Sequence, residues 1–82
     1  MTLKLTVVLR LSGRIQAEGL DQLREHVSSH RPNVLDLAEV MLVDVAVIRF
    51  LIACQAEGIA LINCSRYIHK WMDRERREGN RE

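Results

Sequence analysis

Hydrophobic and polar positions change period several times along this chain. Over residues 3–11 they alternate: Leu3, Leu5, Val7, Leu9 and Leu11 share one side, and Lys4, Thr6, Val8 and Arg10 the other. Period-two alternation predicts a strand with one buried face, ended by Ser12-Gly13. Leu20, Leu23 and Val27 then recur at helical spacing, predicting an amphipathic helix over residues 17–29, with Gly19 weakening its first turn. Arg31-Pro32-Asn33 stops that helix and turns the chain. The short apolar runs at residues 34–37 and 59–62 predict a second and a third strand. Neither run alternates, which predicts central strands covered on both faces. A helix is expected over residues 44–57, with Asp44 as its N-cap and Gly58 as its stop. Ser65 caps a last helix carrying an apolar stripe of Tyr67, Ile68, Trp71 and Met72. Strands alternating with helices imply crossover units. The expected class is α/β, with a small mainly parallel or mixed sheet of three to four strands and about three helices.

The helix over residues 44–57 is the least ordinary element. Ile48, Leu51 and Ile52 cluster on one side of its wheel and Val47, Phe50 and Cys54 on another, with Arg49, Gln55 and Glu57 as its polar positions. A surface helix of a small domain has one apolar stripe. The second stripe is covered either by the final helix or by another chain, where it would be a protein-binding patch.

Composition narrows the function classes. The chain has 82 residues, 12 basic and 11 acidic, which is one small domain of nearly neutral charge. A strongly cationic nucleic-acid binder is excluded on that ground. Residues 73–82 mix both signs one by one, so the expected division is a domain over residues 1–72 and a charged tail over 73–82. The longest apolar stretch, residues 45–56, is broken by Arg49 and Gln55 and is too short to cross a bilayer. No secretion signal is expected, and Cys54 and Cys64 read as reduced, buried thiols of a cytoplasmic protein.

Candidate chemistry is sparse. Asp36 lies at the end of a predicted central strand and Asp44 opens the next helix, which is where ligands bind in open α/β sheets. Asp44 is equally explained as a cap. His26 and His30 are one helical turn apart but have no third ligand, and the two cysteines lack a second pair, so no metal is expected. Gly13, Gly19, Gly58 and Gly79 are isolated, so no phosphate-binding loop exists. No catalytic residue and no cofactor are expected, and the protein reads as a non-enzyme.

Taken in order, these pieces resemble a STAS domain, the fold of anti-sigma-factor antagonists and of the cytoplasmic ends of sulfate transporters. The stretch from Leu9 to Ile15 (LRLSGRI) resembles the family's strand ending in a small residue and glycine. Leu20, Leu23 and Val27 match its first helix, and the stretch from Val34 to Asp44 (VLDLAEVMLVD) its signature. The stretch from Gly58 to Ser65 (GIALINCS) matches the strand after the second helix, and Ile68, Trp71 and Met72 the helix after that. The resemblance spans residues 5–72. Antagonists of this family carry Asp-Ser-Ser-Gly at the start of the second helix, and a kinase that is also the anti-sigma factor phosphorylates a serine there. This chain has Asp44-Val45-Ala46-Val47, without a hydroxyl.

The resemblance therefore implies a bacterial protein-interaction module whose phosphorylation switch is lost. The implied partner-binding residues are Asp36, Glu39, Met41, Asp44, Val45, Ala46, Val47 and Phe50, with residues 38–43 as a loop. The implied partner is a kinase-like anti-sigma factor. Two other readings are a homo-oligomeric structural or transporter-accessory protein, such as a homodimer, in which a second copy supplies elements the family usually has, and a small-ligand binder using Asp36 and Asp44 together. Neither nucleic acid nor membrane insertion is expected.

Overall fold

The computed structural model describes residues 6–79. Its strands are β1 (Val8–Ile15), β2 (Val34–Val43) and β3 (Ala60–Ile62), and its helices α1 (Leu20–His30), α2 (Val45–Ala56) and α3 (Arg66–Gly79). A 3₁₀ turn, Ala17–Gly19, precedes α1. The strands form one parallel sheet in the order β1-β2-β3, as the alternating elements require. Residues 3–5 of the expected first strand lie outside the described residues. The strand itself runs on past Ser12-Gly13 to Ile15, because Gly13 takes a left-handed φ of 79° within the pairing instead of ending it.

The strand β2 is more than twice as long as expected. Residues 38–43 were expected as a loop, and they are strand paired to β1 as far as Val43. The pairing slips twice. Arg10 faces Asp36 but Ser12 faces Glu39, and Gly13 faces Val40 but Arg14 faces Leu42. Each slip puts one extra residue into β2, a β-bulge that resets the alternation of its side chains. This is why the sequence of β2 does not alternate.

The expectation that both faces of the central strands are covered is corrected here. Leu9, Leu11, Leu35, Leu37 and Leu61 join the core with all three helices. Positions of opposite phase face outward: Val8 is 52% exposed and Ile62 41%. The sheet is covered on one face, and Asp36, on the other, is buried by its polar neighbours.

Local signals act as read. Asp44 accepts a hydrogen bond from the Val47 N–H at 3.2 Å, capping α2. Ser65 Oγ accepts from the Ile68 N–H at 3.2 Å and caps α3. Gly58, with φ 98°, follows the end of α2. Arg31, with φ 45°, closes α1 ahead of the buried Pro32. Asn33 then ties the turn to β1, its Oδ1 accepting from the Val7 N–H and its own N–H donating to the Val7 carbonyl, both at 2.8 Å.

The second stripe of α2 is covered by the final helix. Ile68 and Met72 of α3 are buried in one cluster with Val47, Ile48, Leu51 and Cys54, and Phe50, Ile52 and Trp71 pack against it. Arg49 pairs with Glu75 at 3.2 Å, and Arg76 donates to Gln55, so polar contacts border the helix pair. The last of these lie beyond residue 72, in a helix that continues unbroken to Gly79.

One-sided burial has a measurable consequence. Replacing the fully buried Leu35 by alanine is expected to cost about 2–5 kcal/mol in chemical denaturation. Val8→Thr, on the open face, is expected to change stability by about 0.5 kcal/mol or less. Equal losses would contradict the face assignment.

Candidate partner-binding surface

The anticipated site residues fall in two places. Asp36 is near the start of β2, and the others lie beyond residue 38, up to the second turn of α2. Eight strand residues at about 3.3 Å each put Asp36 and Asp44 roughly 20 Å or more apart, even with two bulges. A single small ligand held by both carboxylates is ruled out by that separation.

Each aspartate also has its own structural task. Asp36 is 8% exposed. Its Oδ1 accepts from Asn63 Nδ2 and from the Ala38 N–H, both at 3.0 Å, and Arg10 Nε is 3.8 Å from its Oδ2. The Asn63 bond, then the Ala38 bond, hold its carboxyl below the ordinary carboxylate range, with a smaller help from Arg10 and against the upward push of burial. Asn63 adopts a left-handed φ of 57°, a conformation asparagine tolerates better than most residues. Asp44 is half-buried and uses both oxygens on backbone donors. One caps α2, and Oδ2 accepts from the Ala17 N–H at 2.7 Å.

What remains for a partner is apolar. Met41 is 76% exposed, Leu42 41% and Val45 39%, and Glu39 is exposed beside them in the chain. Met41 is the extra residue of the second bulge, so it has no opposite number on β1 and projects outward. Ala46 and Phe50 are half-buried. Val47 was expected to touch a partner, and this is corrected: it is fully buried on the inner side of α2, since the third residue of the helix turns inward to the core. Leu42 lies within the expected contact segment 38–43 but is not among its named residues. Its signal is the unbroken run Val40-Met41-Leu42-Val43, too long for one buried face.

Other chemistry is weak. His30 Nδ1 is 2.9 Å from the His26 carbonyl oxygen and the two rings stack, an arrangement complete within the helix. No cluster of three metal-ligating side chains occurs among the described residues. Burial pushes the Cys54 and Cys64 thiols up, which disfavours the thiolate. No helix among the described residues is long and apolar enough to cross a membrane.

Two measurements test the roles of the aspartates. Asp44→Ala is expected to lower stability by about 1–2 kcal/mol, with Asp44→Asn between it and the parent, because the amide keeps one acceptor oxygen. The lowered pKa of Asp36 makes its charged form favour the fold. That contribution is complete above the unfolded carboxylate value of about 3.9 and is lost as pH falls through the folded one. Denaturation curves taken from neutral to acid pH are expected to show a smaller loss on acidification in Asp36→Asn than in the parent.

Comparison with known proteins agrees with this geometry. The family described as "Mlab, STAS domain" matches residues 4–66, from ahead of β1 to the first residue of α3. No curated protein and no solved structure matches the chain. The family match takes in more than half of the 82 residues, the parallel sheet and the capped second helix, and the chain belongs to the STAS domain family.

Proposed function

We propose that this STAS domain is a non-enzymatic docking module that binds a protein partner constitutively, in the cytoplasm, through the far end of β2 and the start of α2. The observation that carries this reading is the exposure of Met41, Leu42 and Val45 within five residues, around an aspartate committed to the backbone. Exposed apolar side chains gathered in one short segment suit a desolvated contact. Ala46 and Phe50 border the contact, and Glu39 supplies a charge at its rim.

The partner is of the anti-sigma-factor type or a component of a transporter, the two settings in which the family's interaction modules work. In a phosphorylatable antagonist, a phosphate at the start of the second helix adds nearly two negative charges and separates the complex. Val45 and Ala46 have no hydroxyl, so binding here is independent of that switch. Self-association would bury the same residues and is the competing reading.

The test uses the tagged full chain expressed in its own organism. Parent and Met41→Asp are captured side by side and the recovered proteins quantified. One protein is expected in near-stoichiometric amount with the parent, weakened about tenfold or more by Met41→Asp, with no phosphate on the chain by intact mass. Equal recovery by both forms would overturn the reading. Sedimentation of the pure protein over a range of concentrations discriminates self-association, for which a dimer lost in Met41→Asp is the decisive result.

A further inference from the structure

On the side of α3 turned away from the core, four cations stand in one row: Arg66, Lys70, Arg74 and Arg77, all exposed. Their spacing of four, four and three residues places them along about 16 Å of helix surface. Like charges at these spacings repel, so the row weakens the helix that carries it. Of the other charges of this helix, Glu78 is exposed and the rest are engaged. Arg76 bonds to Asp73 and Gln55, His69 lies 3.6 Å from Asp73, and Glu75 pairs with Arg49. None of the four cations lies within ion-pair distance of a carboxylate among the described residues.

Next to the row stand Tyr67, 51% exposed, and the half-buried Trp71, their rings 5.6 Å apart. Together with Lys70, Arg74, Arg77 and one carboxylate, Asp73, which Arg76 already engages, they line an open depression along the helix. In a chain whose net charge is +1, this is a local excess of positive charge beside two aromatic rings, three cations against one carboxylate that is paired elsewhere.

We infer that this face of α3 is a second docking surface, taking an acidic segment of a protein. Three of the four cations are arginines, whose planar fork pairs with carboxylates two bonds at a time. Tyr67 and Trp71 supply apolar contact and a hydroxyl next to those pairs. A bilayer surface fits less well. Membrane-surface helices bury their apolar face in the lipid, and the apolar face of α3, Ile68 and Met72, is already buried in the core. This surface does not depend on the contact proposed at Met41, which lies on other elements.

The test is fluorescence anisotropy of labelled poly-L-glutamate titrated with the full chain at low salt. Saturable binding is expected, suppressed as salt rises and weakened about tenfold or more in Lys70→Glu/Arg74→Glu. Arg77→Glu alone is expected to weaken it less, Arg74→Lys to retain most of it and Met41→Asp to leave it unchanged. Arg77→Glu, near the helix end, keeps the test open if the double variant does not melt cooperatively. Absence of saturable binding, or binding undiminished by charge reversal, would overturn the inference. So would binding to phosphatidylglycerol vesicles or duplex DNA without binding to polyglutamate.

Discussion

A single carboxylate sets the geometry of the exposed end of this domain. In a parallel sheet every strand leaves from the same edge, so the turns after β1 and β2 emerge side by side. Asp44 joins them. One oxygen caps α2, and the other accepts the N–H of Ala17, where the 3₁₀ turn has no side-chain cap of its own. Because α2 starts where Asp44 fixes it, Val45 is held outward, Val47 inward and Ala46 between them. The same bonds explain why a carboxylate in a position typical of ligand sites is unavailable to a ligand.

The unequal lengths of the strands decide what this end presents. The strand β3 pairs with only the first three residues of β2, from Val34 to Asp36, while β1 follows β2 to Val43. Beyond Asp36 the other edge of β2 has no strand beside it among the described residues. Bulges twist and re-aim a strand, which makes an unpaired edge a poor template for indiscriminate pairing. Here they also turn Met41 and Leu42 outward. Exposure and edge protection thus arise from one irregularity.

The order of elements, the caps at Asp44 and Ser65 and the stops at Arg31 and Gly58 were legible in the sequence, because each rests on chemistry within a few residues. The stripe of α3 was legible only in part: Ile68 and Met72 enter the core, whereas Trp71 is half-buried and Tyr67 is exposed. The extent of β2 was not. A run without alternation reads as two-sided burial, and bulges produce the same run with one face open. Only the pairing register separates the two. The partners of Asp36 were equally hidden, since Asn63 stands 27 residues away and its left-handed backbone carries no distinctive sequence mark. Val47 shows the limit of carrying a motif across as a block. Residues after an N-cap point in different directions, so one segment contains both surface and core.

Loss of the hydroxyls changes what kind of regulation the proposed contact can have. A phosphate at a helix start is held by backbone N–H groups and the helix dipole, so a serine there suits a reversible switch. With valine and alanine at the same positions, the proposed contact would instead gain strength with the apolar area removed from water, about 25 cal/mol per Å². No modification of Val45 or Ala46 can weaken it. Control of such a contact would act through the amount of either protein, through competition for the partner, or through a distant surface. A cationic row on α3 responds to salt and to acidic competitors, and an apolar patch does so only weakly. Two proposed contacts of such different physical character would allow one small domain to hold one segment firmly while exchanging another.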